Sequence, residues 1–287
     1  MLGRITVALF FLLLVWGNLV AGLKAGLACP DWPLCQGRML PPFRIDVWME
    51  FTHRLIAAVA TLFLVVLSLK QLRAYRGLAK AIPLAAFGLL ACEIAFGALV
   101  VLLELPMQLT VVHFMTGLTI FLLIGYMAVF DGNNAPARFP VRGYAALFLA
   151  LGVLLYSQAS LGAYVRHAGA GLACPDFPTC RGDWFPALLD GQVLAHFSHR
   201  FLAVLIVGTI AALAAAACLD GKMRRHRPAA LTLLGLGIVQ IGAGAGVVQS
   251  GLNFAATALH LTVALVMLLV LGRMWIREAA LLEGGPL

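Results

Sequence analysis

The sequence predicts an all-α membrane protein: eight transmembrane helices in two tandem four-helix bundles, related by a pseudo-two-fold axis along the membrane normal. Three observations predict it. The 287 residues are 62% hydrophobic and only 11% charged, with a mean hydropathy of +0.99, whereas a soluble domain is about half apolar and about a quarter charged. Eight runs are long and apolar enough to cross a bilayer. The chain is also written twice. The composition excludes a water-soluble globular enzyme, and the 29 glycines follow no collagen-like period.

A helical span needs about 20 apolar residues. The runs lie at 5–23, 50–69, 82–103, 108–130, 143–164, 195–218, 229–249 and 254–272. Their continuity excludes an outer-membrane barrel, whose strands alternate in short segments. Thirteen of the 20 basic residues fall on one side: Arg4, Lys70, Arg73, Arg76, Lys80, Arg138, Arg142, Lys222, Arg224, Arg225, Arg227, Arg273 and Arg277. The positive-inside rule puts that side, and both termini, in the cytoplasm. The net charge of +8 follows from this bias and not from nucleic-acid binding, since no basic run is interleaved with aromatics. Arg4 ahead of an apolar run could open a signal peptide, but the run is long enough to span and has a counterpart later. The absence of an Arg/Ser-rich presequence favours a prokaryotic plasma membrane.

The repeat rests on three landmarks. Gly26-Leu27-Ala28-Cys29-Pro30-Asp31-Trp32-Pro33-Leu34-Cys35 matches Gly171-Leu172-Ala173-Cys174-Pro175-Asp176-Phe177-Pro178-Thr179-Cys180, at an offset of 174 − 29 = 145. Phe51-Thr52-His53-Arg54 matches Phe197-Ser198-His199-Arg200 at 199 − 53 = 146, and His113 matches His260 at 260 − 113 = 147. Spans one to four and five to eight are therefore two copies in one orientation, as parallel repeats are. The expected units are 1–134 and 135–287.

His53, His113, His199 and His260 each fall near the outer start of an even-numbered span. Polar side chains inside a membrane are costly and mark function. A lone histidine there most often bonds a neighbouring helix. Four, paired by repeat and matched in depth, suit axial ligation of haem iron, one haem in each bundle. Zinc fits less well, since a structural zinc site gathers four ligands.

Glu50 precedes His53 by three residues, on the same helix face; the second copy has His196 there. A carboxylate beside a haem ligand can serve as a general base, so the first bundle is expected to be the reactive one. The other reading of Glu50 is a charge favoured by the helix dipole. Arg54 and Arg200 either pair with haem propionates or snorkel to headgroups. Glu93 lies near mid-membrane with Gln240 as its counterpart, and its role stays open. His167 and His226 read as solvated loop residues. Cys92 and Cys218 read as buried small apolar residues. Four cysteines form two C-x5-C pairs in outer loops, where disulfides persist, and the intervening prolines bring Cys29 to Cys35 and Cys174 to Cys180.

Together these residues resemble the haem A synthase family: the paired His-Arg motifs, the lone histidines of spans four and eight, the CPDWPLC loop and the duplicated eight-span layout. The resemblance covers almost the whole chain. It implies oxidation of a methyl group of haem O to the formyl group of haem A through hydroxylated intermediates, for terminal oxidases. It implies that His53 and His113 hold substrate haem in 1–134, that His199 and His260 ligate a haem b in 135–287, and that Glu50 is the active-site carboxylate. A haem O synthase is then a candidate donor of substrate, and a redox partner is required. Homo-oligomerisation stays open, and His196 adds a spare imidazole near the cofactor. Competing classes are a bis-His b-type cytochrome exchanging electrons with quinone, a thiol–disulfide membrane oxidase using the loop cysteines, and a non-catalytic oxidase assembly partner.

Overall fold

The computed structural model describes residues 1–130, 139, 141–187 and 190–282. The expected unit boundary at 134/135 and Arg138 lie outside them. Over the described residues the protein is all-helical, with eight helices long and apolar enough to cross a membrane. These are α1 (Leu2–Gly22), α2 (Ile45–Ala74), α3 (Ala81–Leu102), α4 (Met107–Val129), α5 (Gly143–His167), α6 (Gly191–Leu219), α7 (Arg227–Gln249) and α8 (Phe254–Leu282). Short 3₁₀ turns, Gly77–Lys80 and Gly221–His226, precede α3 and α7. Each expected run maps onto one helix.

Several helices outrun their apolar stretch. The 30 residues of α2 make a rod of about 45 Å, longer than the ~30 Å hydrocarbon layer. Its ends therefore carry Asp46 and Arg73. The side chains on the helices' outward faces are apolar; Leu62 is 67% and Val204 64% exposed. Such exposure is ruinous in water and suits lipid.

The odd-numbered helices end alike. Lys24, Glu104, Gly169 and Gly251 take left-handed φ values of 55°, 58°, 70° and 66°. The following residue then donates back five positions: Ala25 N to Val20 O, Leu105 N to Val100 O, Ala170 N to Val165 O and Leu252 N to Val247 O, at 2.7–2.9 Å. This is the Schellman closure, which satisfies carbonyls that the helix end would otherwise orphan. At the start of α6 the Asp190 carboxylate accepts from Gln192 N at 2.8 Å, an N-cap.

The chain divides into two compact units: Met1–Val141 with Ile276–Leu287, and Arg142–Trp275. In the first, α1 packs on α2, α2 on α3, α3 on α4, and α4 back on α1, closing a ring of four. Gly3 lets α1 and α4 approach, since a Cβ there would stand 2.7 Å from Ala128 Cα, and small residues are what allow membrane helices to come so close. Gln71 Nε2 donates to Met127 O and Phe130 O, and Tyr75 Oη to Phe130 O at 2.6 Å. So α2 closes the carbonyls at the end of α4. In the second unit α6 lies between α5 and α7. α8 meets α7 where Gly244 faces His260 and Gly237 faces Met267.

Candidate functional site

The two Cys loops are built from the same parts. Cys29–Cys35 and Cys174–Cys180 are disulfides, with Cα atoms 4.6 and 4.5 Å apart. All four cysteines are buried. Each loop contains a cis-proline, Pro33 or Pro178, and closes with a two-residue bridge, Cys35 to Arg38 or Cys180 to Asp183. At the tips Gly37 and Gly182 have φ of 70° and 85°, which only glycine adopts without strain.

An aspartate ties each tip. Asp31 accepts from Gln36 N at 2.6 Å and Gly37 N at 2.7 Å. Asp176 accepts from Arg181 N at 2.6 Å, Gly182 N at 2.9 Å and the Thr179 hydroxyl. The Thr179 hydroxyl, followed by the Gly182 amide, holds the Asp176 carboxyl down at about 2. For Asp31, burial pushes upward, but the Gly37 and Gln36 amides outweigh it and the carboxyl also lies below its ordinary value. A carboxyl depressed by folding stabilises fully above the unfolded value of about 4 and loses that stabilisation as pH falls through the folded value. Thermal unfolding in detergent should therefore lose stability from about pH 4 towards about pH 2. Asp176→Asn should flatten that slope; an unchanged slope would show the carboxylate idle.

Arg54 and Arg200 hold these loops to the helices below. Arg54 donates to the carbonyls of Asp31 and Leu34 at 2.6 Å and of Cys29 at 2.8 Å. Arg200 donates to those of Asp176, Thr179 and Cys174 at 2.7 Å. The fourth donor, Nε, separates the halves. Arg54 Nε meets Glu50 Oε1 at 2.9 Å, where both side chains are largely buried. Arg200 Nε meets His196 Nε2 at 3.1 Å. Four of five guanidinium N–H groups are thus spent within the protein, and one stays available to an anion such as a propionate. Neither arginine was expected from the sequence to act as a loop clamp.

The Arg200 contact also settles the spare imidazole. Guanidinium only donates, so His196 Nε2 accepts and the proton sits on Nδ1, which donates to Ala170 O at 3.0 Å. The Cys174 amide, 3.4 Å from that Nδ1, is then a contact and not a bond. With both ring nitrogens engaged, His196 has no lone pair left for a metal.

The four candidate ligand histidines share one setting. His53 lies eight residues into α2 and His113 six into α4; His199 lies eight into α6 and His260 six into α8. Each is then roughly 9–12 Å from its helix start. Each ring rests on a glycine of the preceding helix. A Cβ on Gly17, Gly97, Gly162 or Gly244 would stand 3.0, 3.3, 3.0 and 3.1 Å from Cε1 of His53, His113, His199 and His260. The glycines obey the repeat, 162 − 17 = 145 and 244 − 97 = 147, so extending the alignment beyond the histidines would have found them.

Nδ1 of all four histidines is buried without a hydrogen-bond partner. In the second unit the His199 and His260 rings face each other, centroids 6.4 Å apart and planes at 66°. Two imidazoles bound to one first-row metal at about 2 Å each would stand about 6 Å apart, centroid to centroid. Gln158 Nε2 lies 3.4 Å from His199 Nε2 and Gln240 Nε2 3.3 Å from His260 Nε2. In the first unit Glu50 and His53 lie one turn apart on α2, and His113 lies on α4 of the same unit. Among the described residues no group of three or more His, Cys, Asp or Glu could hold a bare metal ion. The separation of the His199 and His260 rings fits an iron whose other ligands come from a macrocycle.

Cys92 and Cys218 are free thiols, exposed and not buried as the sequence had suggested. His226 is buried, its ring against Phe148 at 4.9 Å, and His167 ends α5, so neither is the free loop residue expected.

Comparison with known proteins agrees. A protein named heme A synthase from Symbiobacterium thermophilum is 31% identical over 265 residues, 88% of this chain and 86% of the relative. Heme A synthase of Halalkalibacterium halodurans is 30% identical over 217 residues, 71% of each chain. That of Bacillus licheniformis is 27% identical over 274 residues, covering 90% of this chain and 89% of the relative. The profile of the cytochrome oxidase assembly protein family, COX15-CtaA, matches residues 43–271, and this chain belongs to that family.

Proposed function

We propose that this protein is a haem A synthase, an oxidoreductase that converts the methyl group of haem O to the formyl group of haem A through hydroxylated intermediates. The observation that carries the reading is the asymmetry between otherwise matched sites. Both units have a ligand-competent histidine pair, each ring resting on a glycine, under an Arg-clamped disulfide loop; only the first has a buried carboxylate, Glu50, at the arginine. His53 and His113 hold the substrate haem, and His199 and His260 a haem b. In sequence, 1–134 and 135–287 are tandem copies of one four-helix unit. The loops face the outside of a prokaryotic plasma membrane, and both termini face the cytoplasm.

Haem b, when bound, supplies one-electron chemistry. The protein orients the substrate and handles the proton. Arg54 Nε fixes Glu50 through Oε1, leaving Oε2 to take a proton from the substrate methyl carbon or from an attacking water. The loop above is buried at its disulfide and is held to α2 by Arg54. The redox partner and a haem O synthase supplying substrate complete the requirements.

Glu50→Ala should retain haem O but make no haem A, read by pyridine haemochrome and mass spectrometry of pigment extracted from purified membranes. Normal haem A in that variant would remove Glu50 from the chemistry. Extraction of haem b alone from the wild type would instead favour a bis-His cytochrome.

A further inference from the structure

Glu93 lies on α3, and the repeat places Gln240 at its counterpart, 240 − 93 = 147. Its Oε1 stands 3.3 Å from Nδ1 of His113. The contact is in ionic range without being a linear hydrogen bond. Both His113 Nδ1 and Glu93 Oε2 are buried with no hydrogen-bond partner, so nothing competes for either. Space for the carboxylate comes from Gly117, one turn beyond His113: a Cβ there would stand 2.8 Å from Glu93 Oε1. The counterpart of Gly117 is Ala264, again at 147. In the second unit the amide of Gln240 approaches Nε2 of His260, not Nδ1. The halves thus differ jointly: carboxylate with glycine, reaching Nδ1, against amide with alanine, reaching Nε2.

We infer that Glu93 is the positioning residue for the substrate-haem ligand His113. Its carboxylate holds the proton on Nδ1, which presents the Nε2 lone pair to iron. Partners of this kind fix the tautomer of a ligating histidine, set its ring orientation and raise its basicity. A more basic ligand favours the ferric state, so the first-unit haem is tuned below the potential it would have with an amide at 93. The inference rests on the reading of His113 as a haem ligand.

The test is redox titration of the purified haem-loaded protein, following the visible bands and the ferric low-spin EPR signals of the two haems. Glu93→Gln, which keeps the shape, should move the first-unit midpoint potential upward and leave the second unchanged. Gly117→Ala should move the same potential upward while the carboxylate is still present, because it displaces Oε1. Gln240→Glu combined with Ala264→Gly should move the second-unit potential downward. Unmoved first-unit potentials in both Glu93→Gln and Gly117→Ala would overturn the assignment, whatever their activity. If His113→Ala leaves the first-unit haem spectrum intact, the ligand reading itself falls and this inference with it.

Discussion

Replacing Arg54 with leucine should destabilise the protein far more than replacing Arg200 with leucine, although both arginines grip their loops through three carbonyls. Each variant loses the same set of charge-assisted hydrogen bonds, each such bond contributing about 1.5–3 kcal/mol. The difference lies beneath. Arg54→Leu leaves Glu50 as an uncompensated buried carboxylate, and breaking a buried pair from one side costs about 3–5 kcal/mol. Arg200→Leu leaves only a neutral imidazole short of one donor. Unfolding in detergent, followed by tryptophan fluorescence, should separate the two by roughly 3 kcal/mol. Adding Glu50→Gln to Arg54→Leu should recover most of the gap, since it removes the stranded charge and nothing else. Arg54→Lys should fail to restore the loop, because an ammonium lacks the planar fork that reaches several carbonyls at once. Equal losses in Arg54→Leu and Arg200→Leu would mean that Glu50 is not held by its arginine, and the proposed fixing of the catalytic carboxylate would go with it.

The reason this contrast could be anticipated only in part shows where sequence reading stops. The eight helices were legible because a bilayer imposes a single rule, about twenty apolar residues per crossing, and the chain obeys it eight times. The four histidines were legible because duplication turns each residue into a pair, and paired polar residues in apolar surroundings stand out. Glu50 against His196 was legible as a difference between pairs. The partners of those residues were not. That Arg54 faces three loop carbonyls depends on the fold of the Cys loop above it, set by a buried disulfide, a positive-φ glycine and an aspartate accepting amides. No hydropathy pattern encodes such contacts. His196 looked like a rival ligand until its nitrogens were seen to be engaged by Arg200 and Ala170. The glycines under the histidines were visible to the repeat but chemically silent, since their contribution is the absence of a side chain.

Those glycines carry the last large effect. If His199 and His260 ligate haem b as proposed, His199→Ala or His260→Ala should abolish its stable binding, because either variant would leave one histidine in a site with no third donor among the described residues to replace it. The glycine variants should fall between this loss and wild type. At Gly162 and Gly244 a methyl group would stand 3.0 and 3.1 Å from Cε1 of its histidine, closer than ordinary contact, so the ring must tilt or the helices part. The proposed ligation of one iron by both rings would depend on the ring keeping its place across the 6.4 Å gap. Gly162→Ala and Gly244→Ala should therefore weaken haem b retention about 10–100-fold, the cost typical of disturbing a ligand's support rather than the ligand. Valine at either position should approach the histidine knockouts. Haem b content against apoprotein, measured after detergent washing, gives the order: wild type, then alanine, then valine together with His→Ala. Should Gly162→Val bind haem as tightly as wild type, the His199 ring would not need the place that Gly162 leaves for it, and the pairing of each ligand with a glycine would be packing without consequence for the iron.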